Sequence, residues 1–144
     1  MKKEFMINGS LTVAPAAVGA IQISVPAGGA ITLKSPVFSC DKITVTLALV
    51  EDASFAAAGT VIVPKSKIRG LSTASRATVK AITGAVVVNG GAVATLEALT
   101  VQAVANNVPL SGCWVLQPGK NYLVTITNNN AAAAAVDFTL KLEE

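Results

Sequence analysis

The strictest pattern in the chain is the alternation of apolar and polar residues in the segment VDFTLKL, residues 136–142. Its even-numbered positions are apolar and its odd-numbered positions are polar. Because successive side chains of a β-strand point to opposite faces of the sheet, this period of two predicts a strand with one buried face. The segments KITVTLALV and NYLVTIT alternate in the same way, with the predicted inward residues Ile43, Val45, Leu47, Leu49, Tyr122, Val124 and Ile126.

Glycine, proline and asparagine punctuate the chain at short intervals, as expected for many short strands joined by turns. The pair Asn89-Gly90 between the runs AVVV and AVATL predicts a β-hairpin. A helical turn is predicted only in residues 51–59, and the alanine run 131–135 is predicted to be a loop that enters a strand. That loop either packs closely against a neighbouring backbone or is a tolerant surface loop. The pattern as a whole predicts one all-β domain over residues 1–144, an antiparallel β-sandwich of jelly-roll or immunoglobulin-like type with few or no helices.

The apolar content is high, but it comes mostly from small residues. Hydrophobic residues make up 52% of the chain, aromatic residues only 4% and charged residues 13%, about half of the usual ~25%. Such a chain has a thin core and little charge for its surface, which favours either assembly or a membrane. Residues 11–33 carry no charge, but Pro15, Pro26 and several glycines interrupt them. We therefore expect two short strands there, no membrane span, and a homo-oligomer.

Several kinds of chemistry lack their usual residues. The chain has no histidine and no phosphate-binding glycine motif, so the common acid–base and zinc sites are not expected. The pair Glu51-Asp52 is predicted to be a solvated turn in preference to a calcium site. Cys40 and Cys113 are predicted to be reduced, partly buried thiols, although one disulfide is possible. The prediction is a protein that is not an enzyme and has no cofactor and no metal.

The middle of the chain is basic, since no acidic residue occurs between Asp52 and Glu97. This basic segment is a candidate contact for an acidic protein surface or for phosphate, and the alternative is a solvated loop that keeps the chain soluble. The scarcity of aromatic residues nearby argues against nucleic acid. Trp114 is expected to anchor a core or an interface, and Glu143-Glu144 is expected to fray at the terminus. The candidate partner-contact residues are Lys65, Lys67, Arg69, Arg76, Lys80 and Trp114.

The run WVLQPGKNYLVTITN, residues 114–128, resembles a segment of small virion proteins of tailed phages. In those proteins a strand of this type is followed by a loop of small residues and a final strand. The upstream basic segment with Arg76 and the central Asn-Gly fit as well, so that the resemblance covers roughly residues 65–144. Lys141 and Leu142 stand where the family carries an aromatic pair.

The resemblance implies a structural virion component, such as a capsid decoration or cement protein, that is made in the host cytoplasm. Its expected partner is the major capsid protein or another virion protein, and a homotrimer is favoured. The alternative is a tail, fibre or adhesin module that binds glycans through aromatic platforms. A capsid or tail position, the oligomer number and the strand order are left open by the sequence.

Overall fold

The computed structural model is an all-β protein. No α-helix occurs among the residues that the structure describes, and no helix there is long and apolar enough to cross a membrane. The structure describes residues 2–55, 59–68, 74–84, 88–89, 94–102, 105–110 and 113–144.

The described residues form fourteen strands. They are β1 (Glu4–Val13), β2 (Val18–Ser24), β3 (Ile31–Cys40), β4 (Val45–Glu51), β5 (Ser54–Phe55), β6 (Thr60–Ile62), β7 (Lys65–Ser66), β8 (Thr78–Gly84), β9 (Val88–Asn89), β10 (Ala94–Thr100), β11 (Ala105–Pro109), β12 (Trp114–Leu116), β13 (Asn121–Asn128) and β14 (Ala134–Glu143). Residues 11–33 thus contribute strands, as predicted.

Two antiparallel sheets pack face to face. The first, here called sheet A, has the order β11-β3-β14-β1-β7, with β12 also paired to β3. The second, sheet B, has the order β10-β4-β13-β2-β8-β6, and β5 pairs with β9 in a separate ribbon. The predicted antiparallel β-sandwich is confirmed.

The strand order is that of a jelly roll. Its eight principal positions run β1-β14-β3-β11/β12 in sheet A and β2-β13-β4-β10 in sheet B. The chain changes sheet at every step from β1 to β4 and again from β12 to β14, which gives two interlocked Greek keys. An immunoglobulin-like sandwich would keep its first two strands in one sheet. The strands β5 to β9 are an insertion, in which β6 and β8 widen sheet B and β7 widens sheet A.

The core between the sheets follows the period-two pattern. Every even-numbered residue of β14 is buried, and the odd-numbered ones face outward. Leu47 and Leu49 are buried as predicted, but Ile43 is exposed because β4 begins only at Val45 and Thr44 takes a left-handed conformation (φ 55°). Leu123 points away from this core yet is also buried, in a small second cluster with Ala20, Val50 and Ala53 on the outer face of sheet B.

A buried tyrosine fastens the turn before β13. The ring of Tyr122 lies in the core, and its hydroxyl accepts a hydrogen bond from the backbone N–H of Gln117 at 2.8 Å. The chain reverses between these residues at Pro118-Gly119, where Gly119 has a positive φ of 77°. This arrangement is similar to the tyrosine corner of Greek-key sandwiches, in which a hydroxyl holds the backbone a few residues upstream.

Asn128, the last residue of β13, ties the loop between β1 and β2 to the loop between β13 and β14. Asn128 is fully buried, and its amide nitrogen donates to the carbonyl oxygens of Val13 at 3.0 Å, Ala14 at 3.2 Å and Ala132 at 2.9 Å. Its side-chain oxygen accepts from the backbone N–H of Asn130 at 3.0 Å. The alanines 131–133 lie outside any strand and β14 begins at Ala134, so the predicted loop entering a strand is confirmed.

One local prediction was wrong for the residues that the structure describes. The predicted helical turn at residues 51–59 contains strand β5, because Ser54 and Phe55 pair with β9 and Asp52 adopts a left-handed φ of 55° that a right-handed helix does not permit; residues 56–58 lie outside the described residues. The predicted hairpin around Asn89-Gly90 falls largely on residues that the structure does not describe, and it stays a prediction. Val88 and Asn89 pair with β5, and β10 pairs with β4; residues 85–87 and 90–93 lie outside the described residues.

Candidate interaction surface at the open edge of the sandwich

The two lateral edges of the sandwich differ, and Trp114 closes one of them. Trp114 lies in β12 opposite Leu33 of sheet A and packs, half-buried, against the core. Its indole N–H donates to the carboxylate of Glu97 on β10 of sheet B at 2.7 Å. The side chain therefore joins the two sheets, which is the anchoring role expected of a buried tryptophan.

At the opposite edge, strand β1 is open. It pairs with β14 along its whole length, but on its other side it pairs with β7 only at Phe5 and Met6. Lys3 and Glu144 exchange both backbone hydrogen bonds, so the odd-numbered residues of β1 face β14. The even-numbered residues face the other way, since the carbonyl of Glu4 accepts from the backbone N–H of Lys67 at 3.0 Å.

The backbone N–H and C=O groups of Asn8, Ser10 and Thr12 therefore point to the open edge. No described residue pairs with them there. Their side chains are exposed as well. The result is a strand edge of about seven residues without a neighbour among the described parts of the chain.

Sheet B extends beneath this edge. Strand β1 packs over β2 and β8, and β6 continues sheet B beyond β8. A cavity of about 430 Å³ lies above β6 and β8, bounded by β1 residues 8–11 and by residues 59–60, 62 and 81–83. A second cavity of about 280 Å³ shares Asn8 and Ile62 with the first and ends at Lys65. We call the two together the edge groove.

Among the described residues that line the edge groove, Lys65 is the one charged residue, and none is aromatic. Val61 and Val63 line the rim of the second cavity, with 60% and 73% of their surfaces exposed. These are the highest exposures of any large apolar side chain in the described part of the chain. A groove flanked by exposed valines is the kind of surface that protein partners cover.

The basic segment is not a uniform patch of free charge. Lys67 donates to the carboxylate of Glu4 at 2.9 Å, and the Nε of Arg76 lies 3.3 Å from the carboxylate of Glu144. The sequence-based expectation of uncompensated charge is wrong for these two residues. Their acidic partners come from the two ends of the chain, more than 60 residues away in sequence, where a search along the segment does not find them.

The ion pairs continue over the outer face of sheet A. The ammonium of Lys34 bridges Glu4 at 2.5 Å and Glu143 at 2.8 Å, and Lys2 also pairs with Glu143 at 2.8 Å. Hydrogen bonds from Lys34 and then Lys67 lower the pKa of Glu4 from 4.5 to about 2. Lys2 first, and Lys34 second, lower the pKa of Glu143.

The C-terminal residues are held in place, so the expectation that they fray was wrong. The backbone of Glu144 pairs with Lys3, and its carboxylate accepts from the hydroxyl of Ser75 and from the backbone N–H of Arg76 at 3.0 Å. Antiparallel pairing with β1 brings the end of the chain back to the beginning of the domain.

The predicted partner-contact residues do not form one site. Lys65 ends the edge groove, and Lys67 and Arg76 belong to the ion-pair network. Lys80 is half-buried in β8, paired with Gln22 and Val61, and Trp114 closes the opposite edge. Arg69 lies outside the described residues.

Sequence reasoning missed the residues that form the open edge, Asn8, Ser10 and Thr12. One signal was present, because residues 5–13 contain no charge and no proline. Natural proteins commonly protect a free strand edge with charged residues or proline. A stretch of nine strand residues that contains neither indicates an edge that is either paired or available for pairing.

The remaining polar candidates are accounted for by local contacts. Glu51 and Asp52 both lie 3.2 Å from the ammonium of Lys120, whose pKa is raised chiefly by the hydrogen bond to Asp52. No group of three or more metal-ligating side chains occurs among the described residues. Both cysteines are free; Cys40 is buried, which raises the pKa of its thiol, and Cys113 is exposed.

No protein-family model matches the sequence, and no curated protein matches it significantly.

Proposed function

We propose that this protein is a structural component of a tailed-phage virion, which decorates and stabilises the capsid through protein–protein contacts. In this proposal it is not an enzyme, it assembles as a homotrimer, and its partner is the major capsid protein or another virion protein. The observation that carries the proposal is the exposed apolar surface at the open edge, where Val61 and Val63 flank a groove whose described lining residues carry a single charge, Lys65.

The rest of the molecule is compatible with such a role. Only 13% of its residues are charged, and several of those charges are paired with one another on the outer face of sheet A. Interface cores are depleted of charged residues in the same way as the groove. Jelly rolls occur in capsid proteins and also in lectins, so the fold alone does not choose between these roles.

Decoration stabilises a shell by mass action. A protein that binds only the assembled shell stabilises it by RT ln(1 + [L]/Kd), which is about 2.7 kcal/mol when the free protein is at one hundred times its Kd. No catalytic group is needed for this effect. A broad contact with low charge is sufficient.

The alternative, a glycan-binding module, gains no supporting observation from the edge groove. Sugar sites of that type present aromatic platforms, and no aromatic ring occurs among the described residues that line the groove. If glycans are nevertheless recognised, a glycan array with the purified protein will detect binding that does not require phage heads.

The proposal is tested by light scattering of the purified protein and by co-sedimentation with phage heads that lack it. We expect a trimer that sediments with the heads, and we expect Val63→Asp to weaken co-sedimentation by at least about tenfold, because it places a charge in an apolar contact. Val115→Asp is the matched control, since Val115 is 59% exposed on β12, at the opposite edge. A monomer that does not sediment with heads, or equal losses in the two variants, would contradict the proposal.

A further inference from the structure

We propose that the edge groove receives a single extended strand from a partner protein, which adds to sheet A beside β1. This inference goes beyond the proposed function, because it names a mode of binding that any partner with a free extended segment can use. It rests on the backbone geometry of β1 and on the shape of the groove, and it does not require the partner to be a capsid protein.

Unpaired backbone groups of β1 point to the open edge beside the groove. Asn8, Ser10 and Thr12 direct three N–H and three C=O groups to this edge, and no described residue pairs with them. An added strand pairs with alternate residues of its neighbour, so these groups match the pattern that a partner strand requires. The free stretch from Ile7 to Val13 is about 23 Å long at ~3.3 Å per residue, enough for a segment of about seven residues.

Strand β7 occupies the first part of the position beside β1. Lys65 and Ser66 pair with Met6 and Phe5, and the next residue, Lys67, bonds to Glu4. The chain therefore runs away from the groove, and the place beside Ile7 to Val13 is left without a strand among the described residues. Sheet B, in contrast, continues beneath that place through β8 and β6.

The open edge of β1 has room for a single added strand but not for the edge of a second sandwich. Stacked sheets lie about 10 Å apart, so the edge of another sandwich would bring its own second sheet to the level of sheet B. That level is already occupied by β6 and β8 beneath the open edge. An isolated extended segment meets no such clash, because it needs only the width of one strand above the floor of the groove.

The residues that line the groove indicate which side chains a partner strand should carry. Ile62 and Ala81 form an apolar part of the floor, and the two exposed valines, Val61 and Val63, stand at the rim. Among the described residues that line the groove, one is charged, Lys65, and it forms no ion pair with a described acid. The structure therefore favours a strand that is uncharged along its length, alternates β-branched with small polar residues, and has an acidic residue at the end near Lys65.

The test uses the intact protein and a synthetic peptide, acetyl-DVTVSVTV-amide, at concentrations up to millimolar. Amide hydrogen exchange followed by NMR measures each backbone N–H. We expect the peptide to slow the exchange of Asn8, Ser10 and Thr12 by at least about tenfold, the effect of closing a local opening by ~1.4 kcal/mol. The matched control peptide carries N-methyl groups on the amides that would face β1, and we expect no slowing with it.

Two variants complete the test. Ser10→Pro removes an N–H that points to the open edge and takes no part in the bonds to β14, so it is expected to abolish peptide binding, and Ser10→Ala, which keeps that N–H, is expected to preserve it. If Ser10→Pro does not fold, the N-methylated peptide still decides the question without any change in the protein. Slow exchange of the three amides in the free protein, no protection at millimolar peptide, or equal protection by the N-methylated peptide would each overturn the inference.

The outcome is separable from that of the proposed function. Peptide binding without co-sedimentation with phage heads supports strand addition and contradicts the capsid role. Co-sedimentation that depends on Val63, together with a peptide that gives no protection, supports the capsid role and overturns strand addition.

Discussion

Replacement of Asn128 by alanine tests the contacts that tie two loops, the one between β1 and β2 and the one between β13 and β14, to the end of the sandwich. The side-chain amide of Asn128 donates to the carbonyls of Val13, Ala14 and Ala132, and its oxygen accepts from the backbone N–H of Asn130. Alanine removes all of these hydrogen bonds and leaves their backbone partners to find water. The backbone N–H at position 128 keeps its own bond to Ala17, at 3.0 Å, in the variant.

The magnitude follows from counting the bonds that are lost. The two N–H groups of the amide serve three carbonyls, and the oxygen accepts from both the backbone N–H and the side-chain amide of Asn130, so about four hydrogen bonds disappear. At ~1 kcal/mol each, Asn128→Ala should lower the free energy of unfolding by ~4 kcal/mol. For a domain of this size that corresponds to a fall in Tm of about 13 °C.

Urea unfolding and calorimetry measure both quantities, and Asn129→Ala supplies the matched control. Asn129 is the next asparagine in the chain, but it is exposed and makes a single side-chain contact, at 3.4 Å, to the hydroxyl of Thr46. Its replacement should change the free energy of unfolding by less than ~0.5 kcal/mol. Equal effects of the two substitutions would refute the reasoning, because burial and bonding would then not distinguish the two asparagines.

Asn128→Asp separates the loss of hydrogen-bond donors from the loss of volume. The variant keeps the size of the side chain but places a buried carboxyl against carbonyl oxygens, which raises the pKa of that carboxyl above its unfolded value. A raised pKa in the folded state means that stability is retained at low pH and lost as the pH rises. We expect Asn128→Asp to be less stable than Asn128→Ala at pH 7 and to recover part of the difference in acid; a flat pH profile would contradict this account.

Three further predictions concern ionisable and aromatic side chains. The pKa of Glu4 is about 2 in the folded state and ordinarily 4.5, so its stabilising contribution is present above pH 4.5 and is lost as the pH falls toward 2; acid titration of thermal stability should show a smaller loss over this interval in Glu4→Gln. Trp114→Phe keeps an aromatic ring but removes the N–H that donates to Glu97, and it should cost about 1–2 kcal/mol in urea unfolding, whereas an unchanged midpoint would mean that this bond does not hold the two sheets together. Of the two free thiols, Cys113 is exposed and Cys40 is buried, so a thiol reagent should modify Cys113 quickly in the native protein and Cys40 only on unfolding, and rapid modification of both would contradict the burial of Cys40.

The local pattern of the sequence predicted the strands and their buried faces well. In β14 and β13 the period of two identifies the inward side chains, because each side chain's face depends only on its own position in the strand. The prediction was wrong where the conformation depends on a distant partner. Residues 51–55 have helix-forming neighbours in sequence, yet Ser54 and Phe55 pair with β9, and pairing of this kind outweighs a weak local preference.

The candidate site was less accessible to sequence reasoning than the fold. The basic segment was visible as a gap between acids, but the partners of Lys67 and Arg76 are Glu4 and Glu144, at the two ends of the chain. Coulomb interactions depend on distance in space, and only the pairing of β1 with β14 brings these acids to the segment. The sequence therefore overestimated the free positive charge of this region.

The sequence by itself determined that this chain forms an antiparallel β-sandwich with a thin aliphatic core, because hydrophobic periodicity records which face of each strand is buried. Only the tertiary structure decided that the order is a jelly roll, that Trp114 closes one lateral edge, and that β1 is left open at Asn8, Ser10 and Thr12 on the other. The reason is that the backbone N–H and C=O groups that join strands are the same in every residue except proline. Which of them remain unpaired depends on how the strands are arranged in space.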